Sequence, residues 1–187
     1  MPFIAIDTTT QKRTNITDIV DDHHLPKEEQ HWECQLCNQQ MKIRGGALVT
    51  RHFYHTQICK SNYTYHTETA EHRLGKRYIM RQFYKEYWHY THAHIDYEVP
   101  IPEIQRVADI LVTFPNGWRI AHECQLSPIQ VDEYQARTHD YHQAEIDVYW
   151  WIGRKAAQVH NVQEWILAEF GFFLLVDFHE QSKQFPD

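Results

Sequence analysis

Two hydrophobic periods divide this chain. Between Thr67 and Tyr87 apolar side chains return every four residues, at Ala70, Leu74 and Tyr78, and Ile79 and Phe83 widen the stripe. That spacing predicts an amphipathic helix. Thr67 suits its N-cap, and Glu68 and Glu71 suit the positive end of the helix dipole. Beyond His94 the period shortens. Residues 95–101, 106–114 and 118–126 read as strands, with Pro102 ending the first and Pro115-Asn116-Gly117 turning between the other two. Ser127-Pro128 is expected to open a helix reaching about Ala144, the proline sitting where a first-turn N–H is not needed. Residues 146–152 are β-branched and aromatic, hence a buried strand. A helix over 156–169 stops at Gly171, and 172–178 closes as another strand. Upstream, 3–6 is the one strand expected before residue 31, and two short strands are expected around Gly45-Gly46. The order is helix, three strands, helix, strand, helix, strand. It predicts an α/β fold, a mixed sheet flanked by helices, with a right-handed crossover from the 118–126 strand to the 146–152 strand.

Turn chemistry sets the register of the 106–126 hairpin. Pro115 and Asn116 suit the centre of a type I turn, and Gly117 suits the left-handed residue that follows. With that three-residue loop Phe114 faces Trp118, and counting back puts Asp109 opposite Glu123. A two-residue loop would slip the register by one and send the acids to opposite faces. The other side chains agree with the first version. One face collects Ala108, Ile110, Val112, Phe114, Trp118, Ile120 and Cys124, with His122 as the discord. The other carries Asp109, Glu123 and Gln125 beside Val107, Leu111 and Ala121. Acids directly opposite each other destabilise an antiparallel pair. At a few ångströms their repulsion is about 1 kcal/mol in water and about 4 kcal/mol in a protein-like medium. Two resolutions are open: a solvated polar face on which the acids splay apart, or coordination of Mg²⁺ or Mn²⁺ by hard oxygen ligands.

Charge alone points nowhere. The net charge of −7 argues against a chain that holds nucleic acid simply by being basic. Lys and Arg do outnumber Glu between Lys42 and Glu86, which suits a local basic face or, equally, a solvated helix surface. The longest apolar runs, 148–152 and 172–176, fall far short of the roughly 20 residues a bilayer requires. The first residues lack a signal peptide's basic start and apolar stretch, so a cytoplasmic location without membrane contact is expected. In that compartment Cys34, Cys37 and Cys59 point to metal rather than to disulfides. Zinc takes four N/S ligands, here Cys34 and Cys37 with two from His52, His55 and Cys59; His55 and Cys59 are favoured by spacing. His89, His92 and His94 read as a polar loop or strand edge.

Several fragments resemble CoiA-like competence proteins, which are PD-(D/E)XK nuclease-like. They are Arg106-Val107-Ala108-Asp109-Ile110, Ile120 through Ser127, Arg137 with Tyr141, and Val148 through Ile152. Thr69-Ala70-Glu71-His72 with Lys76 resembles that family's Ser-x-Glu-His-x-x-x-Lys helix. Cys34-x-x-Cys37 followed by His52-Phe53-Tyr54-His55 resembles its N-terminal zinc-finger segment. Two positions depart from the pattern: Gln125 stands where the general nuclease motif has lysine, and Thr69 where serine is usual.

The resemblance implies a restriction-endonuclease-like domain over 63–187, preceded by a zinc-binding segment over 1–62. It implies a Mg²⁺- or Mn²⁺-dependent nuclease acting on DNA, with Asp109 and Glu123 as metal ligands and the Cys124 carbonyl as a third oxygen. Glu71 would be a further ligand or water-orienting group. Gln125 would position the water or a phosphate oxygen, with no cation to offer in place of the missing lysine. Lys76, Arg106, Arg137 and Tyr141 would contact substrate, the last two sharing a helix face four residues apart. The zinc, with four ligands filled, would be structural or would grip substrate, and would not be catalytic. The alternative is a non-catalytic nucleic-acid or protein-binding adaptor that keeps the nuclease scaffold.

Overall fold

The computed structural model describes residues 2–19, 31–45, 51–63, 69–86 and 92–177. The expectations placed on Thr67, Glu68, Gly46, Tyr87, His89 and Phe178 lie outside these residues. The chain forms two compact units. One comprises 1–70 with 96–108, the other 71–95 with 109–187.

The first unit holds a five-stranded sheet of order β2-β1-β3-β4-β5, built from β1 (Ile4–Asp7), β2 (Lys12–Asn15), β3 (Trp32–Glu33), β4 (Gln40–Arg44) and β5 (His52–His55). All its pairings are antiparallel. β2 is an addition to the single strand expected before residue 31, and β3 is an addition to the two expected around Gly45-Gly46. β2 has no apolar side chain, so no alternation announces it. What folds it back is the turn. Asp7 accepts hydrogen bonds from the Thr9 N–H (2.8 Å) and the Thr10 hydroxyl (2.9 Å), and Gln11 takes φ +57°. The core is small, with Phe3, Ala5, Ile16, Cys34, Met41 and Phe53 buried and Cys37 and Cys59 packed at its margin.

The second sheet has the order β10-β9-β8-β7-β6, with β6 (His94–Ile101), β7 (Arg106–Thr113), β8 (Arg119–Gln125), β9 (Asp147–Gly153) and β10 (Leu174–Val176). β7 and β8 are antiparallel, whereas β8–β9 and β9–β10 are parallel. Pro100 is tolerated because β6 lies at the sheet edge. The sheet is mixed, as the element order predicted. Among the described residues four helices accompany it: α1 (Ala70–Glu86), α2 (Val131–Gln143), α3 (Arg154–Ala157) and α4 (Val162–Phe170). α2 makes the crossover between β8 and β9. It starts at Val131 with Gln130 extended as its N-cap, so Pro128 precedes the helix rather than opening it. The helix expected over 156–169 is broken in two, because Asn161 adopts the left-handed conformation at φ +66°. Among the described residues no helix is long and apolar enough to cross a membrane.

His122, the one polar residue expected on an apolar face, is buried in an aromatic cluster. Its ring centroid lies 4.3 Å from that of Phe83 and 5.5 Å from that of Tyr149, and its Nδ1 accepts from the Trp151 indole N–H at 3.1 Å. Burial lowers its pKa to about 3, so it is neutral and serves β8 as a polar aromatic core residue.

Candidate functional site

The β7–β8 turn places the acid pair. The Phe114 N–H donates to the Trp118 carbonyl at 2.8 Å, the Gly117 N–H donates to the Phe114 carbonyl at 2.9 Å, and Gly117 has φ +87°. This is the three-residue loop that the Pro-Asn-Gly sequence predicted. The ladder pairs Thr113 with Arg119 and continues to Ile110 with His122. The ladder ends there, and just beyond it Asp109 and Glu123 are joined through their carboxylates rather than as a further backbone pair. Each carboxylate accepts from the opposite strand: the Asp109 N–H donates to Glu123 Oε1 at 3.3 Å, and the Cys124 N–H donates to Asp109 Oδ2 at 2.9 Å.

Two helices lean a pair of side chains each onto these acids, both pairs four residues apart and so on one helix face. From α1, His72 Nε2 lies 3.2 Å from Asp109 Oδ2 and Lys76 Nζ lies 3.6 Å from Asp109 Oδ1, the lysine being fully buried. From α2, the Tyr141 hydroxyl donates to Glu123 Oε1 at 2.5 Å, and Arg137 forms an ion pair with Glu123 Oε2. Arg137 also donates to Gln125 Oε1 at 3.3 Å and lies 4.7 Å from the Trp150 ring centroid. Gln125 in turn donates to the Ser127 carbonyl at 2.7 Å, so both ends of its amide are used. The repulsion expected between the acids is thus met by the protein's own cations and donors.

Electrostatics separate the two acids. Burial would raise the Asp109 carboxyl, but the charges of His72 and Lys76 and the Cys124 N–H hold it well below the usual carboxylate range. Burial pushes Glu123 up; Arg137 and the Tyr141 hydroxyl pull it back, and neighbouring Asp109 adds to the rise. Asp109 is therefore the standing anion of the pair. Burial also sends the Tyr141 phenol well above its ordinary range, so it is a donor throughout.

Of the residues singled out from sequence, Asp109, Glu123, Gln125, Lys76, Arg137 and Tyr141 are brought together. Glu71 is exposed in the first turn of α1, and Arg106 is half-buried at the start of β7. His72, which the resemblance names without a role of its own, joins Lys76 on Asp109. Its signal was its place four residues before Lys76. As a donor set, two carboxylates on adjacent strands with the Gln125 amide oxygen and the Cys124 carbonyl are the hard oxygens that Mg²⁺ or Mn²⁺ accepts, and in chemistry they fit such an ion.

A second cluster lies in the first unit. Cys34 and Cys37 flank a tight turn between β3 and β4, closed by the Asn38 N–H on the Cys34 carbonyl and the Cys34 N–H on the Gln39 carbonyl, both at 2.9 Å. The Leu36 N–H points at Cys34 Sγ at 3.4 Å. His55 ends β5, and its Nε2 lies 3.4 Å from Cys37 Sγ. The ligand atoms of Cys34, Cys37, His55 and Cys59 all lie within 4.8 Å of one another. Among the described residues this is the one place where three or more His, Cys, Asp or Glu side chains converge so closely. Three thiols and an imidazole at that separation fit a tetrahedral ion, whose sulfur atoms at about 2.3 Å from the metal would be roughly 3.8 Å apart. The cluster could hold a structural metal ion. His52, at the other end of β5, is buried outside it. Burial pushes the Cys34 thiol up to about 12, so it would give up its proton to the metal rather than to water.

No curated protein and no solved structure matches the chain. A family model described as "Competence protein CoiA, nuclease-like domain" matches residues 68–186, which include α1, the acid pair and α2. That match spans more than half of the sequence, and the chain belongs to the competence protein CoiA nuclease-like domain family.

Proposed function

We propose that this protein is a divalent-metal-dependent phosphodiesterase acting on DNA, with Asp109 and Glu123 as the metal-holding acids. The observation that carries the reading is the acid pair itself, on adjacent strands of a nuclease-like scaffold with each carboxylate bonded to the other strand's backbone. Mg²⁺ or Mn²⁺ bound there would polarise a phosphodiester and lower the pKa of a water. The chain's own groups prepare the site. His72 and Lys76 keep Asp109 ionised. Tyr141 and Arg137 orient Glu123, and Arg137 with the Ser127 carbonyl fixes which way the Gln125 amide faces, so that it can position a water or a phosphate oxygen. In the first unit we infer zinc as the ion of the Cys34, Cys37, His55 and Cys59 cluster, holding together a module with a small core.

One observation favours a second reading, a nucleic-acid or protein-binding adaptor. All four carboxylate oxygens already have partners in the protein, and Gln125 brings no cation. A single experiment decides. Purified protein with Mn²⁺ is expected to degrade DNA, and Asp109→Ala and Glu123→Ala are each expected to lower the rate at least about a hundredfold, as losing a metal-held reaction would. If wild type and both variants behave alike, the enzyme reading falls and the adaptor stands.

A further inference from the structure

Glu123 is the deeper member of the pair, its side chain 1% exposed against 14% for Asp109. Its side-chain partners come from one helix. Arg137 grips Glu123 Oε2 and Gln125 Oε1 together, while its guanidinium rests on the Trp150 ring and Tyr141 occupies Glu123 Oε1. Trp150 is itself buried and anchored, its indole N–H donating to the Thr138 hydroxyl at 3.1 Å and its ring lying 4.7 Å from that of Tyr134. Arg137 is therefore not a surface cation that drifts near an acid. It is seated on a rigid aromatic face, with its fork across the two β8 side chains that a hard metal would use.

Taking Asp109 and Glu123 as the metal ligands of the proposed nuclease, a reading on which this inference rests, we propose that Arg137 is the resident cation of the acid pair. It competes with the divalent ion for Glu123 and Gln125 and so sets how weakly that ion is held. The charges argue for competition rather than for help. Asp109 and Glu123 bring at most two negative charges, and Lys76 and Arg137 return two positive ones before His72, beside Asp109, is counted. A divalent ion entering this cluster finds no net negative charge to neutralise, and it must either displace the guanidinium or share Glu123 with it at close range. A positioning role alone predicts the opposite: a metal ligand that loses its support binds metal less well.

The test is a Mn²⁺ titration of the full-length protein followed by electron paramagnetic resonance, with no DNA present. Arg137→Gln is expected to bind Mn²⁺ about tenfold or more tightly than wild type, since a nearby repelling charge is gone. Arg137→Lys, which keeps the charge, is expected to stay within about threefold of wild type. Asp109→Asn in either background removes the site and identifies it. Equal or weaker binding by Arg137→Gln overturns the proposal. Should that variant not fold, the wild-type protein still answers. Its Arg137 side-chain N–H resonance, assigned through Arg137→Lys, is expected to shift on saturation with Mg²⁺, and an unmoved resonance overturns the proposal. The outcome is separable from the nuclease assay. A protein that cleaves DNA while Arg137→Gln binds Mn²⁺ like wild type refutes the competition alone. Tighter binding without cleavage refutes the enzyme alone.

Discussion

Replacing His122 by glutamine should remove a measurable part of the protein's sensitivity to acid. In the fold His122 is 4% exposed, ringed by Phe83, Tyr149 and Trp151, and its pKa falls to about 3 from an ordinary 6.5 because burial penalises the charged ring. The unfolded chain takes up a proton on this side chain once the pH drops below about 6.5, whereas the folded chain refuses it until about 3. Stability is therefore intact above the unfolded pKa and is lost as the pH falls through that window. Each pH unit costs about 1.4 kcal/mol, so between pH 6.5 and 4.5 the loss is about 2.5 kcal/mol. Glutamine does not titrate, and its amide oxygen can accept the Trp151 N–H that now reaches Nδ1. Urea unfolding of both proteins from pH 7.5 to 4.5 gives the difference directly, and any fixed packing cost of the substitution drops out of the slope. Above pH 4.5 Asp109, held well below the usual carboxylate range, stays ionised in the fold and contributes to both proteins alike. Stability curves that run parallel to within about 0.5 kcal/mol would show that His122 charges inside the fold, and the account of β8 as a strand braced by a neutral imidazole would fail.

Two further outcomes are expected. Metal analysis should find zinc in wild type and in His52→Gln but not in Cys34→Ser or His55→Gln, because only His55 brings its nitrogen among the three sulfurs; retention of zinc by His55→Gln would remove that ligand from the site. Arg73 is 2% exposed, and among the described residues its Nε and Nη1 have no hydrogen-bond partner, so Arg73→Met is expected to stabilise the protein by about 1–3 kcal/mol in thermal or denaturant unfolding; a loss of stability would show that the guanidinium is served after all.

The parts of the site legible in the sequence are those fixed by local rules. A Pro-Asn-Gly loop has few ways to close a hairpin, and the register it sets holds from Thr113 and Arg119 back to Ile110 and His122, the residues next to Asp109 and Glu123, without knowledge of the rest of the fold. The same arithmetic put Gln125 beside Glu123 and Arg137 beside Tyr141. What those two helical residues touch depends on how α2 lies against the sheet after its crossover, and no spacing in the sequence encodes that. Hence Arg137 and Tyr141, expected at substrate, are found on Glu123. Strand parity also says that His52 and His55, three apart on β5, face opposite ways. Which of them faces the cysteines is settled only by the core that buries His52. β2 escaped because an exposed polar strand has no hydrophobic signature, although Asp7 with the following threonines carried the turn signal.

The division of labour between the helices has a consequence for how this family can diverge. Asp109 answers to the histidine and lysine of α1, and Glu123 to the arginine and tyrosine of α2. Each acid and its attendants form a group whose members depend first on one another, since removing one strands a buried charge within that group. Relatives that have abandoned the aspartate should then have released the α1 pair while keeping the α2 pair, and the reverse for those that have abandoned the glutamate. Decay of the site would be written in two separate blocks of co-varying positions.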